Sequence, residues 1–233
     1  MCALERELSA RAIGELRDKA LDQLGCGAGA AVDPVVRAAL DEALDVAAKV
    51  VRPTGAYRIL PVLETTARSV RTEAGTIHSA LFTRLVAMCG GDCSIVFMIS
   101  TLGEEFERSC GPAEPLFRQL VFDTVGSELA EMVADGLEAD WRAELDPLGL
   151  QYSGRFSPGY CDWALEGQGV IAAALDVARV GVRLNSHFVM IPRKSVSAVA
   201  VAAREVPAPA PCVFCARDDC SSRRWPLRKP TRD

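Results

Sequence analysis

The sequence predicts an α+β protein: a mixed, mainly antiparallel twisted sheet with flanking helices. Three observations carry this expectation. Cys93 to Ser100 (CSIVFMIS) is an eight-residue, mostly apolar, β-prone run with Gly91-Asp92 before it and Leu102-Gly103 soon after, which suits a central strand. Ser195 to Ala203 alternates and runs apolar like a second internal strand. Helical stripes interleave with only these few strands, so an antiparallel or mixed sheet is favoured over a doubly wound parallel one.

The elements follow in chain order. Ile13, Leu16, Ala20, Leu21 and Leu24 form an i, i+3, i+4 stripe that stops at Gly25, an amphipathic helix. After the GCGAGAAV stretch, Asp33 supplies an N-cap and Pro34 the first helical position, and Val36, Leu40, Leu44 and Ala47 continue one face to an end near Val51. Ala56 to Val62 and Ala67 to Thr72 read as extended, the latter leading into a turn at Glu73-Ala74-Gly75. Ser79 to Met88 is a short helix stopped by Gly90-Gly91. Pro115 to about Leu145 is helical with an interruption expected at Gly126, and Leu129, Met132, Val133, Leu137 and Trp141 form its buried stripe. Ala164 to Val177 is a further helix, and no internal repeat is present. Three parts result: an N-terminal helical segment (1–52), an α+β core (53–205), and a Pro/Ala linker with a Cys-rich tail (206–233). The linker, VPAPAPC from Val206, is expected to be an extended, semi-rigid spacer.

Composition narrows the class. The 233 residues are 49% apolar and 24% charged without low complexity, which excludes fibrous and wholly disordered chains. The longest apolar runs, such as Cys93 to Gly103, fall well short of the roughly 18 to 20 residues that span a bilayer, so a soluble protein is expected. The N-terminus, MCALERELSARAIGELRDKA, places charges where a signal peptide needs an apolar core, and the cytoplasm is the expected compartment. In that reducing compartment the nine cysteines are expected as free thiols or metal ligands. The net charge of −5 is uneven: Cys212 to Asp233 carries six Arg or Lys against three Asp, a local +3 that leaves −8 elsewhere. Such an acidic body gives no reason to expect nucleic-acid binding.

Common catalytic patterns are mostly absent: no dinucleotide or P-loop glycine motif, no His-Glu-x-x-His, no Gly-x-Ser-x-Gly. His78 and His187, the two histidines, are read as structural or exposed. The densest functional candidate is the loop Arg155-Phe156-Ser157-Pro158-Gly159-Tyr160. Proline fixes the backbone, glycine permits close approach or an unusual φ, the guanidinium offers a planar fork for a carboxylate or phosphate, and the tyrosine face can lie against a ring or a cation. A tight structural loop has the same composition. The tail motif Cys212-x-x-Cys215-x4-Cys220 can close three thiolates around one metal, with an iron–sulfur cluster or Zn completed by a fourth ligand, or can be a run of free thiols. Arg223 and Arg224 suit contact with an acidic partner or simple solubility.

RFSPGYCDW, the following helix with Gln168, and then Leu184, Met190, Pro192 and Lys194-Ser195-Val196-Ser197 together resemble the activation domain of cobalamin-dependent methionine synthase, and more closely its stand-alone relatives in anaerobes. Thr101-Leu102-Gly103 and Gly126-Ser127-Glu128-Leu129-Ala130-Glu131 fit the same pattern. The resemblance spans Ala56 to Ala203. It implies that fold, with S-adenosylmethionine held by Arg155 and the loop residues Ser157, Pro158, Gly159 and Tyr160, and with Glu131 in the place of the family's helix glutamate. Glu131, Asp135 and Glu138 also recur at the spacing of a solvated helix face.

The implied activity is reactivation: S-adenosylmethionine supplies a methyl group that traps reduced cobalt as methylcobalamin after accidental oxidation to Co(II). The chain is too short to contain homocysteine, folate and corrinoid modules, and the Asp-x-His-x-x-Gly signature of a corrinoid module is absent. The resemblance therefore implies a partner-dependent component of a cobalamin-dependent methyltransferase. Its cobalamin would be carried by a separate corrinoid-binding protein or split methionine synthase, with a flavodoxin or ferredoxin as electron donor. The alternative is a non-catalytic corrinoid-protein adaptor, or a redox or metal-binding accessory protein working through its cysteine tail.

Overall fold

The structure, a computed structural model, describes residues 10–26, 32–217 and 219–220. Two helices open it, α1 (Ala10–Gln23) and α2 (Pro34–Val50). The start of α2 is as expected: the Asp33 carboxylate accepts from the Val35 N–H at 2.7 Å, and Pro34 occupies the first turn, where no N–H is needed. There follow β1 (Thr54–Pro61), β2 (Glu64–Thr65), β3 (Ser69–Thr72), β4 (Gly75–His78), α3 (Ala80–Met88), β5 (Cys93–Thr101) and α4 (Glu105–Arg108). The second half holds α5 (Leu116–Leu145), β6 (Gln151–Tyr152), α6 (Gln168–Ala174), β7 (Arg183–Leu184), β8 (Met190–Ile191) and β9 (Ser195–Ala203).

The main sheet has the order β1-β5-β9-β6, and every pair in it is antiparallel. β5 is central, as its unbroken apolar run predicts, and pairs with β9 from Cys93↔Ala203 to Thr101↔Ser195. A small three-stranded sheet, β2-β3-β4, contains a strand the sequence reading stopped short of: the turn at Glu73-Ala74-Gly75 closes a hairpin onto β4. The helix expected over Ala164–Val177 is shorter, since only Gln168–Ala174 is α-helical and short 3₁₀ turns flank it.

The period-2 alternation of the strands sorts their side chains between two layers. Ile95, Phe97 and Ile99 of β5, with Val199 and Val201 of β9, pack on Phe82, Leu85 and Val86 of α3 and Ile171 of α6. On the other face Val96, Met98, Ala198, Ala200 and Ala202 meet Ala134, Leu137, Trp141 and Leu145 of α5. The three alanines leave room for the large side chains of α5, so strand and helix approach closely.

Helix α5 serves two layers. Its first half, through Val121, Phe122, Val125 and Leu129, packs on Leu16 and Ala20 of α1 and Leu40, Ala43, Leu44 and Ala47 of α2, with half-buried Met132 and Val133 at the edge of that cluster. Its second half covers the sheet. The expected break at Gly126 does not occur, because the glycine answers a packing need: a Cβ there would stand 2.9 Å from Phe106 Cε1 and 3.0 Å from Lys194 Cε. Gly126→Ala is therefore expected to destabilise by about 1–3 kcal/mol through overpacking, despite the better helix propensity of alanine. A chemical-denaturation midpoint equal to or above wild type would refute that account.

The Pro/Ala segment corrects an expectation. It is not a free spacer, since Ala208, Ala210 and Val213 are buried and the Gly154 N–H donates to the Pro209 carbonyl at 2.6 Å. The Val206 N–H also donates to Gln151 Oε1 at 3.1 Å. The chain then makes a 3₁₀ turn at Pro211–Phe214, where the Arg84 guanidinium of α3 lies 4.3 Å from the centre of the Phe214 ring. Small alanine side chains let this extended stretch lie flat on the body, which composition does not distinguish from a linker.

Candidate functional site

The site begins where the chain leaves β6 and continues beside β9. Ser153 N–H donates to the Val201 carbonyl at 2.9 Å, and Phe156 exchanges two 2.8 Å hydrogen bonds with Val199. Phe156 buries toward α3 and α6. By strand alternation its neighbour Arg155 emerges on the opposite side, over α5.

There the Arg155 side chain, 6% exposed, meets three carboxylates one helical turn apart. Nη2 donates to Glu131 Oε2 at 3.0 Å and to Asp135 Oδ1 at 2.6 Å, and Nε lies 3.3 Å from Glu138 Oε2. Glu138 also pairs with Arg142. The Nη1 atom of Arg155 is buried and has no hydrogen-bond partner. A charged donor left in this state costs on the order of 1–3 kcal/mol. Glu131, Asp135 and Glu138 are all engaged with the loop arginine, the first two while 40% and 58% exposed.

Beyond Arg155 the loop is held at both ends. Trp163, 3% exposed, stacks on Phe156 at 5.4 Å and on Phe82 of α3 at 6.4 Å between ring centres. Asp162 accepts from Ser79 Oγ at 2.6 Å and from the Leu81 N–H at 3.1 Å, while Ser79 Oγ accepts from the Phe82 N–H at 3.0 Å, so the loop caps α3. The tip is closed by Gly159 N–H to the Trp163 carbonyl at 2.8 Å and Tyr160 N–H to the Ser157 carbonyl at 3.3 Å. Gly159 has φ +90°, a conformation costly for any residue with a side chain. Pro158 is buried, Ser157 half-buried, and Tyr160 stands 52% exposed beside the tip. Asp162→Ala should lower stability by about 1–2 kcal/mol, read as a modest fall in Tm. An unchanged Tm would show that the cap contributes nothing.

The Lys194-Ser195-Val196-Ser197 segment is structural. Lys194 Nζ donates to Asp123 Oδ1 at 2.7 Å and to the Asp123 carbonyl and Ser127 Oγ at 2.8 Å each, tying the start of β9 to α5. Ser195 donates to the Pro192 carbonyl at 2.7 Å, and Ser197 to buried Gln168 Oε1 at 2.7 Å.

Among the described residues no three His, Cys, Asp or Glu side chains are arranged to hold a metal ion. Cys212 and Cys215 lie half-buried on the 3₁₀ turn that Val213 and Phe214 anchor to the body.

A loop-borne, buried arginine thus stands over an acidic helix face on a four-stranded antiparallel sheet, an α+β architecture. Among solved structures the chain is similar to the crystal structure of the MetH reactivation domain bound to AdoHcy, with 17% identity, coverage of 91% of this chain and 81% of that one, and a TM-score of 0.64. The chain thus has the reactivation-domain fold. No protein-family model matches the sequence, and no curated protein does. Among the described residues no helix is long and apolar enough to cross a membrane.

Sequence reasoning brought Arg155 and Glu131 forward separately, and the structure joins them. It passed over Asp135 and Glu138 as arginine partners, although their i+4 and i+7 spacing from Glu131 was the available signal. Asp162 carried no such signal, because its partner Ser79 lies far away in sequence.

Proposed function

We propose that this chain binds S-adenosylmethionine at the Arg155 loop and acts as a reactivation subunit, supporting reductive methylation of an oxidised corrinoid held by a separate corrinoid protein or split methionine synthase. The observation that carries the reading is the buried Arg155 guanidinium with an unpartnered Nη1, set in the loop whose sequence resembles the family's ligand loop. Arg155 binds the ligand's carboxylate, a charge-assisted contact for which its planar fork is suited. Glu131 and Asp135, 40% and 58% exposed on α5, supply negative charge for the ammonium and sulfonium groups. Gly159 keeps the loop backbone open to close approach, and Tyr160 offers an aromatic face. The bound ligand supplies an electrophilic methyl group, and the corrinoid and its electron, from a flavodoxin or ferredoxin, come from partner proteins.

Titration calorimetry with S-adenosylmethionine and with S-adenosylhomocysteine tests the binding arm, and absence of heat up to millimolar ligand overturns it. For the partner arm, the chain is mixed with a corrinoid protein, reduced flavodoxin and S-adenosylmethionine. The expected result is loss of the Co(II) corrinoid absorption that depends on both this chain and the ligand.

A further inference from the structure

Of the three carboxylates around Arg155, one is set apart by burial. The side chains of Glu131 and Asp135 are 40% and 58% exposed, whereas that of Glu138 is 14% exposed, with Oε2 3.3 Å from Arg155 Nε. Its other oxygen, Oε1, accepts from Nη2 of Arg142, one turn further along α5. The Arg142 guanidinium in turn lies 4.4 Å from the centre of the Tyr152 ring, and Tyr152 meets Trp141 edge-on at 5.3 Å between ring centres. Arg155, Glu138 and Arg142 thus form a chain whose two ends return to one short stretch of β6 and the loop: Arg155 belongs to it, and Arg142 rests on its Tyr152.

The guanidinium is planar, and its Nε–H and one Nη2–H share an edge. Glu138 at Nε, with Glu131 and Asp135 at Nη2, occupies that edge and so fixes the head against rotation about Cδ–Nε, with the partnerless Nη1 outside it. Exposed carboxylates exchange an arginine for water at small cost, whereas a buried one that loses its arginine is left with an uncompensated charge. We propose that Glu138 is the positioning residue of the site: it holds Arg155 Nε and keeps the guanidinium turned so that Nη1 meets the ligand's carboxylate, without touching the ligand itself. This role rests on the reading of Arg155 as the ligand's carboxylate partner. It separates Glu138 from Glu131 and Asp135, whose part is to supply negative charge.

The test weighs position against charge in the whole chain. Glu138→Asp keeps the charge but draws the carboxylate back by one methylene, and is expected to weaken S-adenosylmethionine binding by about tenfold or more, the fold-change that goes with losing the alignment of one hydrogen bond to a charged group. Glu138→Gln keeps the length and an oxygen that accepts from Nε, and should bind nearly as wild type does. Titration calorimetry reads both, with thermal melts to establish that each variant is folded. Heteronuclear NMR of the ligand-free protein gives a second reading. The arginine Nε–H signal that Arg155→Lys removes should persist in Glu138→Gln and be shifted, or lost to solvent exchange, in Glu138→Asp. Wild-type affinity in Glu138→Asp, equal weakening in the two variants, or an Nε–H signal unchanged in Glu138→Asp overturns the positioning role and leaves the Arg155 site standing. A wild-type protein that binds no S-adenosylmethionine overturns the reading of the site, and this role with it.

Discussion

Arg155→Ala is expected to weaken S-adenosylmethionine binding at least about 100-fold while the protein remains folded. Nη1, the Arg155 nitrogen without a hydrogen-bond partner, carries two N–H groups, each charge-assisted hydrogen bond from it to a carboxylate is worth about 1.5–3 kcal/mol, and each 1.4 kcal/mol is a factor of ten in affinity. The folded state survives because Glu131 and Asp135, 40% and 58% exposed, regain water when the arginine leaves. Glu138, 14% exposed, keeps its pairing with Arg142. Arg155→Lys restores the charge without the planar fork and should recover only a small part of the lost affinity. Calorimetry on the three proteins, with circular dichroism melts as a control on folding, makes the comparison. Equal affinity in wild type and Arg155→Ala would remove the loop from the binding site altogether.

Trp163→Ala is expected to have the largest effect on stability among the loop residues, about 3–5 kcal/mol, in the range of buried aromatic truncations. The indole is one of three mutually packed rings, with Phe156 and Phe82, whose planes diverge by no more than 22°. Its backbone accepts from Gly159 and donates to Tyr160, so relaxation of the surroundings into the cavity left by the ring also pulls on the loop tip. For a chain of this length about 2–4 °C of Tm accompanies each kcal/mol, which places the expected fall near 10 °C. Trp163→Phe keeps the stacking face and should recover much of that loss. A fall of under about 2 °C for the alanine variant would mean that the capping bonds of Asp162, rather than the stack, hold the loop.

Both predictions rest on contacts between residues whose types were legible in the chain but whose meeting was not. The loop announced itself by Arg155, Pro158, Gly159 and Tyr160, residues with specific backbone and hydrogen-bonding properties that need no partner to be recognised. Glu131 drew notice through its place on α5. That Asp135 and Glu138 join it around one guanidinium depends on α5 crossing the sheet beside β6, a relation of tertiary packing. The tail differs from its reading as a spacer for a related reason: the apolar side chains between its cysteines bind the turn to the body.

Local chemistry decided what each segment became. Asp33-Pro34 starts α2, Ser79 caps α3, the apolar runs of β5 and β9 put them inside the sheet, and the spacing of Leu129, Leu137 and Trp141 turns one face of α5 inward. These follow from hydrogen-bond satisfaction and from the periods of helix and strand, which act over a few neighbouring residues. Only the folded chain decided that helix α5 runs unbroken past Gly126, that the Pro/Ala stretch lies on the body, and that Arg155 is buried with one nitrogen lacking a hydrogen-bond partner. Each of these is set by which surfaces exclude water together, and that is a property of residues brought close by the whole fold rather than by the chain between them.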